Sequence, residues 1–309
     1  MIYDSENIMD NAWNQSIHDG LLLFEKQVGI AVAEYKAPDV GNFNQTLLQL
    51  TEQGFSPILM NNISKTTRET IIQIMEKYPS RRFVIFNDIF QAMNSHYVLF
   101  SHHEASFLAG YLAAKKSQSS VIGFIGGQKI PLIENFLCGF ENGIHHANPQ
   151  AKLITDYISQ LPSAWMDPKS AYVVAKRQIK QGADVLFSPS GGSAVGALQA
   201  AHDANVLAIG IDRNQNHLYS GSVLTSVVTH IDHAVFRALM ASYRNTWRHQ
   251  KNVFGLREGG VDLAFDQHNR SLISQSLRAE IDSLKAKFTL GEFSLANVMD
   301  SGRCQLQIH

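Results

Sequence analysis

Apolar positions along the chain fall into short runs separated by longer amphipathic stretches, and the alternation lasts for nearly its whole length. VIFN at 84–87, VIGFIGG at 121–127, VLFSPSGG at 185–192 and LAIGID at 207–212 are too short and too rich in β-branched residues to be helices. Each closes on Gly, Ser, Asn or Asp, so each predicts a buried strand ending in a turn. Between such runs, amphipathic spacing predicts helices over 12–28, 42–53, 66–77, 103–116, 131–146, 168–181, 192–203, 231–250 and 270–288. Asp167-Pro168 is a helix start, with a capping carboxylate followed by a residue that suits the first turn, and Gly182 is the matching stop. Strand–helix alternation implies an α/β protein whose parallel sheets are covered on both faces. At 309 residues, two doubly wound sheets in two domains fit better than one layer of about ten strands.

The start of the chain departs from this pattern. An α/β domain normally opens on a buried strand, yet only Met1-Ile2-Tyr3 precedes the turn Asp4-Ser5-Glu6-Asn7. These residues read as the end of a strand whose beginning lies upstream, so an N-terminal truncation is expected. The first residues also lack the basic start and apolar stretch of an export signal.

Composition narrows the function. With 26 basic and 27 acidic residues, no net field draws the chain to nucleic acid or to anionic lipid. No apolar run approaches the roughly 20 residues of a spanning helix. Cys138 and Cys304 have neither C-x-x-C nor Cys/His spacing and are expected to be two unpaired thiols. His102-His103-Glu104 and His145-His146 lack H-E-x-x-H spacing, and adjacent helical histidines point in different directions. They are expected to be surface or hinge residues, with no metal and no cofactor. Ser188–Gly196 is the only glycine-rich loop between a strand and a helix. It has neither a P-loop ending nor G-x-G-x-x-G spacing, which leaves a tight turn or a ligand-facing loop.

In an open parallel sheet ligands bind beyond the carboxyl ends of the strands. Those ends present Asn87, Gly191 and Asp212. An ionised Asp212 only accepts hydrogen bonds and suits paired hydroxyls, whereas Asn87 both donates and accepts, as an amide-like base edge requires. Trp13-Asn14 lies just inside the first helix, and Trp165, in a loop, offers a flat face for stacking. For Trp165 core packing, and for Asp212 turn-making, remain the alternatives.

These residues lie in strings that resemble the basic membrane protein family of ABC-transporter substrate-binding lipoproteins, including its purine nucleoside receptor (PnrA-like) type. The strings are Ile8–Gln15, Glu104–Gly110, Ile122–Gly127, Gly182–Phe187, Gly191-Gly192, Ala208–Asp212 and Val223–Ser226, in order from residue 1 to about 295. The resemblance implies a periplasmic-binding-protein type I fold of two Rossmann-like lobes joined by a three-stranded hinge. The lobes would take 1–101 with 230–252, and 102–229 with 253–309. It further implies a non-enzymatic receptor that binds a small polar ligand, a purine nucleoside, between its lobes and delivers it to an ABC permease. The location implied is the periplasm or the outer face of the cytoplasmic membrane. Carried over position by position, the ligand residues are Ile8, Asn14, Asn87, Trp165, Gly191, Asp212 and Thr229. Three depart from the family pattern. Ile8 stands for an aromatic partner of Trp165, Asn87 for a base-reading Asp and Thr229 for a Lys, so the implied site is less charged than the family's. A ligand-sensing regulator of the same fold is the alternative, and a nucleoside hydrolase is the more distant one, since no acid–base pair is evident.

Overall fold

The computed structural model describes residues 1–61, 65–89, 92–296 and 306–309. In chain order the first elements are β1 (Ile2–Tyr3), α1 (Trp13–Val28), β2 (Tyr35–Lys36), α2 (Val40–Glu52), β3 (Ile58–Asn61), α3 (Lys65–Lys77), β4 (Phe83–Phe86) and β5 (Ser95–Phe100). There follow α4 (His102–Lys116), β6 (Val121–Gly126), α5 (Pro131–Ala147), β7 (Lys152–Tyr157), α6 (Pro168–Lys180), β8 (Val185–Phe187), α7 (Ala194–Asp203), β9 (Leu207–Asp212) and β10 (Val223–Thr229). The last are α8 (Ile231–Tyr243), β11 (Gln250–Phe254), β12 (Val261–Leu263), α9 (Gln275–Leu290), β13 (Phe293–Leu295) and β14 (Leu306–Ile308). The chain divides into two compact units. Unit 1 is Met1–Met9, Asn14–Phe100 and Ile231–Phe254; unit 2 is Asp10–Trp13, Ser101–His230 and Gly255–His309.

Unit 1 has a six-stranded sheet in the order β11-β5-β4-β3-β1-β2, parallel throughout. One face packs on α2 and α3 through Phe43, Leu47, Leu50, Ile71 and Met75 against Ile2, Met60, Phe83 and Ile85. Alternate residues of each strand supply this layer, as the period of a pleated strand requires. The N–H of Asn87, just past β4, donates to the Val98 carbonyl at 2.8 Å.

Unit 2 repeats the plan in the order β12-β10-β9-β8-β6-β7, with only β12 antiparallel to its neighbour. Ile125 and Leu186 face α6 and α7, where Val174, Ala175, Ala197 and Leu198 cover them. Phe124 and Phe187, on the opposite face, join Phe136 and Phe140 of α5 in an aromatic cluster with centroids 5.0–6.3 Å apart. Burying such a ring contributes about 1.5–3 kcal/mol.

Helices α4 and α5 meet backbone to backbone because small residues allow it. A Cβ added to Gly110, Gly139 or Gly143 would lie 1.9–2.0 Å from a carbonyl oxygen of the other helix. This closeness accounts for a correction. His102 and His103 are 1% and 4% exposed and so are not surface histidines. His102 stacks on Phe136 with centroids 4.4 Å apart, and burial, then His103, lowers its pKa to about 3, which keeps it neutral. The expected free thiol at Cys138 is also overturned, for Cys138 is disulfide-bonded; Cys304 lies outside the described residues.

Two expected helices are shorter than their amphipathic stretches. α8 stops at Tyr243, two residues before Asn245 at φ +54, and the chain continues into β11. α9 begins at Gln275, where the Ser274 side chain accepts from the Leu277 N–H at 3.2 Å. Among the described residues no helix is long and apolar enough to cross a membrane.

Candidate ligand-binding site

A doubly wound sheet has a switch point where connections leave in opposite directions, and its ligand crevice lies beyond the strand ends there. In unit 2 that point is between β6 and β8. Beyond β6 comes Gly127, and beyond β8 comes the loop Ser188–Ser193. The Gly127 N–H donates to the Pro189 carbonyl at 3.2 Å, and Ser188 Oγ donates to the Ile125 carbonyl at 3.1 Å. The two strand ends are therefore tied together by their own polar groups.

Trp165 sits at this point. A Cβ on Gly127 would lie 2.6 Å from Cζ3 of the indole, and one on Gly191 would lie 3.8 Å from Cε3. The ring thus rests on bare backbone at both positions, and its loop is pinned by one hydroxyl. Ser193 Oγ donates to the Ala164 carbonyl at 2.8 Å and accepts from the Asp167 N–H at 2.6 Å, bracketing Trp165 on both sides. Gly191 has φ +58, a backbone conformation that side-chain-bearing residues rarely adopt.

Asp212 ends β9 with φ +63, in the left-handed region that Asp tolerates better than most residues. It is 6% exposed, and burial, followed by the charge of Asp10, pushes its pKa up to about 8. Asp10 reaches this neighbourhood because Asp10–Trp13 packs within unit 2. The Gln215 amide donates to the Asn11 carbonyl at 2.8 Å, while its oxygen accepts from the Ile211 N–H at 3.0 Å. Gln215 is itself held by Ser226, whose Oγ accepts from its N–H at 3.0 Å. Asp10 stands beside the glycine loop, its Cβ 3.3 Å from a Cβ built on Gly192.

The sequence-based candidates are distributed as follows. Trp165 and Gly191 are in contact, and Asp212 pairs in register with Val228, the residue before Thr229. Thr229 is 2% exposed, and its Oγ1 lies 3.4 Å from Nδ1 of His102. Ile8, Asn14 and Asn87 belong to unit 1, where Ile8 is half-buried, Asn14 is 7% exposed on α1, and Asn87 has φ +55 at the carboxyl end of β4. Asp10, Gly127 and Ser193 were not among the candidates. Gly127 closes a strand run and could have been found by its ending, whereas Asp10 and Ser193 act through contacts that no local pattern encodes.

Basic membrane protein B of Borreliella afzelii (strain PKo) is 35% identical over 172 residues, which cover 54% of this chain and 49% of that protein. Basic membrane protein C of Borreliella burgdorferi is 25% identical over 302 residues, covering 92% of this chain and 84% of that one. For the first of these, the chain spans about half the length of the relative it matches. Among solved structures, an ABC transporter solute-binding protein from Aeropyrum pernix K1 superposes with a TM-score of 0.86 at 19% identity, covering 97% and 93% of the two chains. That likeness fixes the periplasmic-binding-protein fold. The family described as ABC transporter substrate-binding protein PnrA-like matches residues 1–295, so the chain belongs to the PnrA-like substrate-binding family.

Proposed function

We propose that this chain is the solute receptor of an ABC importer and that its solute is a small, polar, nucleoside-like molecule. The observation that carries this reading is Trp165, laid across bare backbone at the switch point of unit 2, the unit that also buries the Asp212 carboxyl at the end of β9. A flat indole suits a base, and stacking of a base on an aromatic is worth about 1–3 kcal/mol. A carboxyl suits sugar hydroxyls. Ile8, Asn14, Asn87 and Thr229 are retained as further proposed ligand residues on the strength of the family resemblance. The permease is the proposed protein partner, and residence outside the cytoplasm is the proposed location. The disulfide at Cys138 supports that location, because such bonds persist in oxidising compartments.

Thermal unfolding against a panel of nucleosides and nucleobases tests the ligand assignment. A true ligand at about 100 times its Kd stabilises by about 2.7 kcal/mol. A panel that leaves the unfolding midpoint unmoved at roughly millimolar concentration would remove the nucleoside reading and leave the fold assignment standing.

A further inference from the structure

Each six-stranded sheet ends in two edge strands, and the four edges differ in length. β2, β12 and β11 have two, three and five residues, whereas β7, at the edge of the unit 2 sheet, has six, Lys152-Leu153-Ile154-Thr155-Asp156-Tyr157. β7 pairs with β6 alone, in parallel and without a register shift, and carries neither a proline nor a bulge to blunt it. The Lys152 N–H donates to the Ser120 carbonyl and the Ile158 N–H to the Gly126 carbonyl, so the even-numbered residues turn their backbone groups inward to β6. Backbone groups alternate along a strand, so Leu153, Thr155 and Tyr157 turn theirs outward. Among the described residues none of these outward groups has a hydrogen-bond partner.

Charge decides what this edge can accept. Lys152, Ile154 and Asp156 share one face of the sheet, on which Arg177 and Gln178 of α6 hold the Asp156 carboxylate at 2.8 and 2.9 Å. A second β7 laid alongside in parallel and in register would set Lys152 against Lys152 and Asp156 against Asp156, and like charges there repel. An antiparallel copy centred on Ile154 instead sets the Lys152 of each chain opposite the Asp156 of the other. It also sets Leu153 opposite Thr155, with their outward backbone groups exchanging hydrogen bonds. Moving the centre to Leu153 or Thr155 keeps the backbone bonding and loses both charge pairs. We propose that β7 is a self-association edge, through which two copies of this chain pair antiparallel with Ile154 on the two-fold axis. Such a contact is isologous and uses up the edge, so it closes at a dimer. One strand per copy lies at the low end of interface sizes, and the dimer is accordingly a weak one.

Sedimentation equilibrium of the whole chain, loaded up to roughly millimolar, tests this. The parent is expected to form a concentration-dependent dimer. Thr155→Pro removes an outward N–H and should leave a monomer, while Thr155→Val keeps that N–H and should dimerise as the parent does. Lys152→Glu and Asp156→Lys each face like charges across the axis and should each weaken the dimer by about ten-fold or more. Mixed one to one, the two should recover it, because every facing pair is then opposite in sign. Circular dichroism melts check that each variant is folded. Asp156→Lys gives up the bonds to Arg177 and Gln178, so Lys152→Glu and Thr155→Pro decide the matter if it does not fold. A parent that stays monomeric at roughly millimolar would overturn the proposal. A dimer of unchanged strength in Lys152→Glu or in Thr155→Pro would do so too, as would a mixture that associates no more tightly than its components.

Discussion

Asp212→Asn should change the pH dependence of folding in a direction fixed by burial. In the unfolded chain the carboxyl loses its proton above the ordinary value of 3.8, whereas in the folded, empty protein it holds it up to about 8. Across that window the folded state binds more protons than the unfolded one, so raising the pH costs stability. Below the window both states are protonated and the cost is absent; above it the cost is complete. The slope is at most about 1.4 kcal/mol per pH unit, which sets a ceiling of about 4 kcal/mol between pH 5 and pH 8. A quarter of that shifts the midpoint of a unit of this size by about 2–4 °C. Asparagine matches the protonated acid in shape and does not ionise. The ligand-free variant and parent should therefore unfold together near pH 5 and separate progressively towards pH 8, with the variant the more stable. Other titrating groups are common to both proteins and cancel in the difference. Asp10→Asn is the control: with a repelling charge removed, the Asp212 titration should move to lower pH without disappearing. Fluorimetric melts at half-unit intervals measure this. Curves that stay parallel within about 1 °C would refute the claim that Asp212 is held protonated.

Three further outcomes follow from the same geometry. Trp165→Ala should weaken nucleoside binding by about ten-fold or more, measured by titration, since about 1–3 kcal/mol of stacking is lost; an unchanged Kd would mean that the ring packs the loop and does not touch ligand. Ser193→Ala removes the acceptor of the Asp167 N–H and the donor to the Ala164 carbonyl, a loss of about 1–2 kcal/mol. The Asp167 amide should then exchange its hydrogen faster, and unaltered protection there would place the anchor of the Trp165 loop elsewhere. Gly139→Ala puts a Cβ 1.9 Å from the His103 carbonyl oxygen. The overpacking cost of about 1–3 kcal/mol should exceed the roughly 1 kcal/mol gained in helix propensity, so the melting temperature should fall; a rise would mean that α4 and α5 separate freely.

Parts of this architecture are written locally in the chain and parts are not. Short β-branched runs closing on Gly, Asn or Asp place β4, β6, β8 and β9 within a residue or so, apart from the loop residues the runs carry past β6 and β8, because a buried strand and its turn are both local statements. β11 shows the opposite case. QKNVF is polar and largely exposed, and the amphipathic stretch 231–250 runs on to its first residue, yet it pairs with β5, some 150 positions earlier. The site divides in the same way. Asn87 and Asp212 are singled out by their places at strand ends, and the structure adds that β4 and β9 occupy equivalent places in two sheets of the same order. Both residues carry positive φ there, at +55 and +63. Asn and Asp are the side-chain-bearing residues best able to adopt that conformation, so the residue type that marks each strand end for ligand chemistry also lets the chain turn. Asp10 has no such double signature. It comes to bear on Asp212 through tertiary contacts, among them the bond from Gln215 to the Asn11 carbonyl, 204 positions apart in sequence. The charge balance around Asp212 is accordingly a tertiary property. A reading confined to strand ends takes Asp212 for an ordinary ionised carboxylate, and the folded chain surrounds it with conditions that favour the proton.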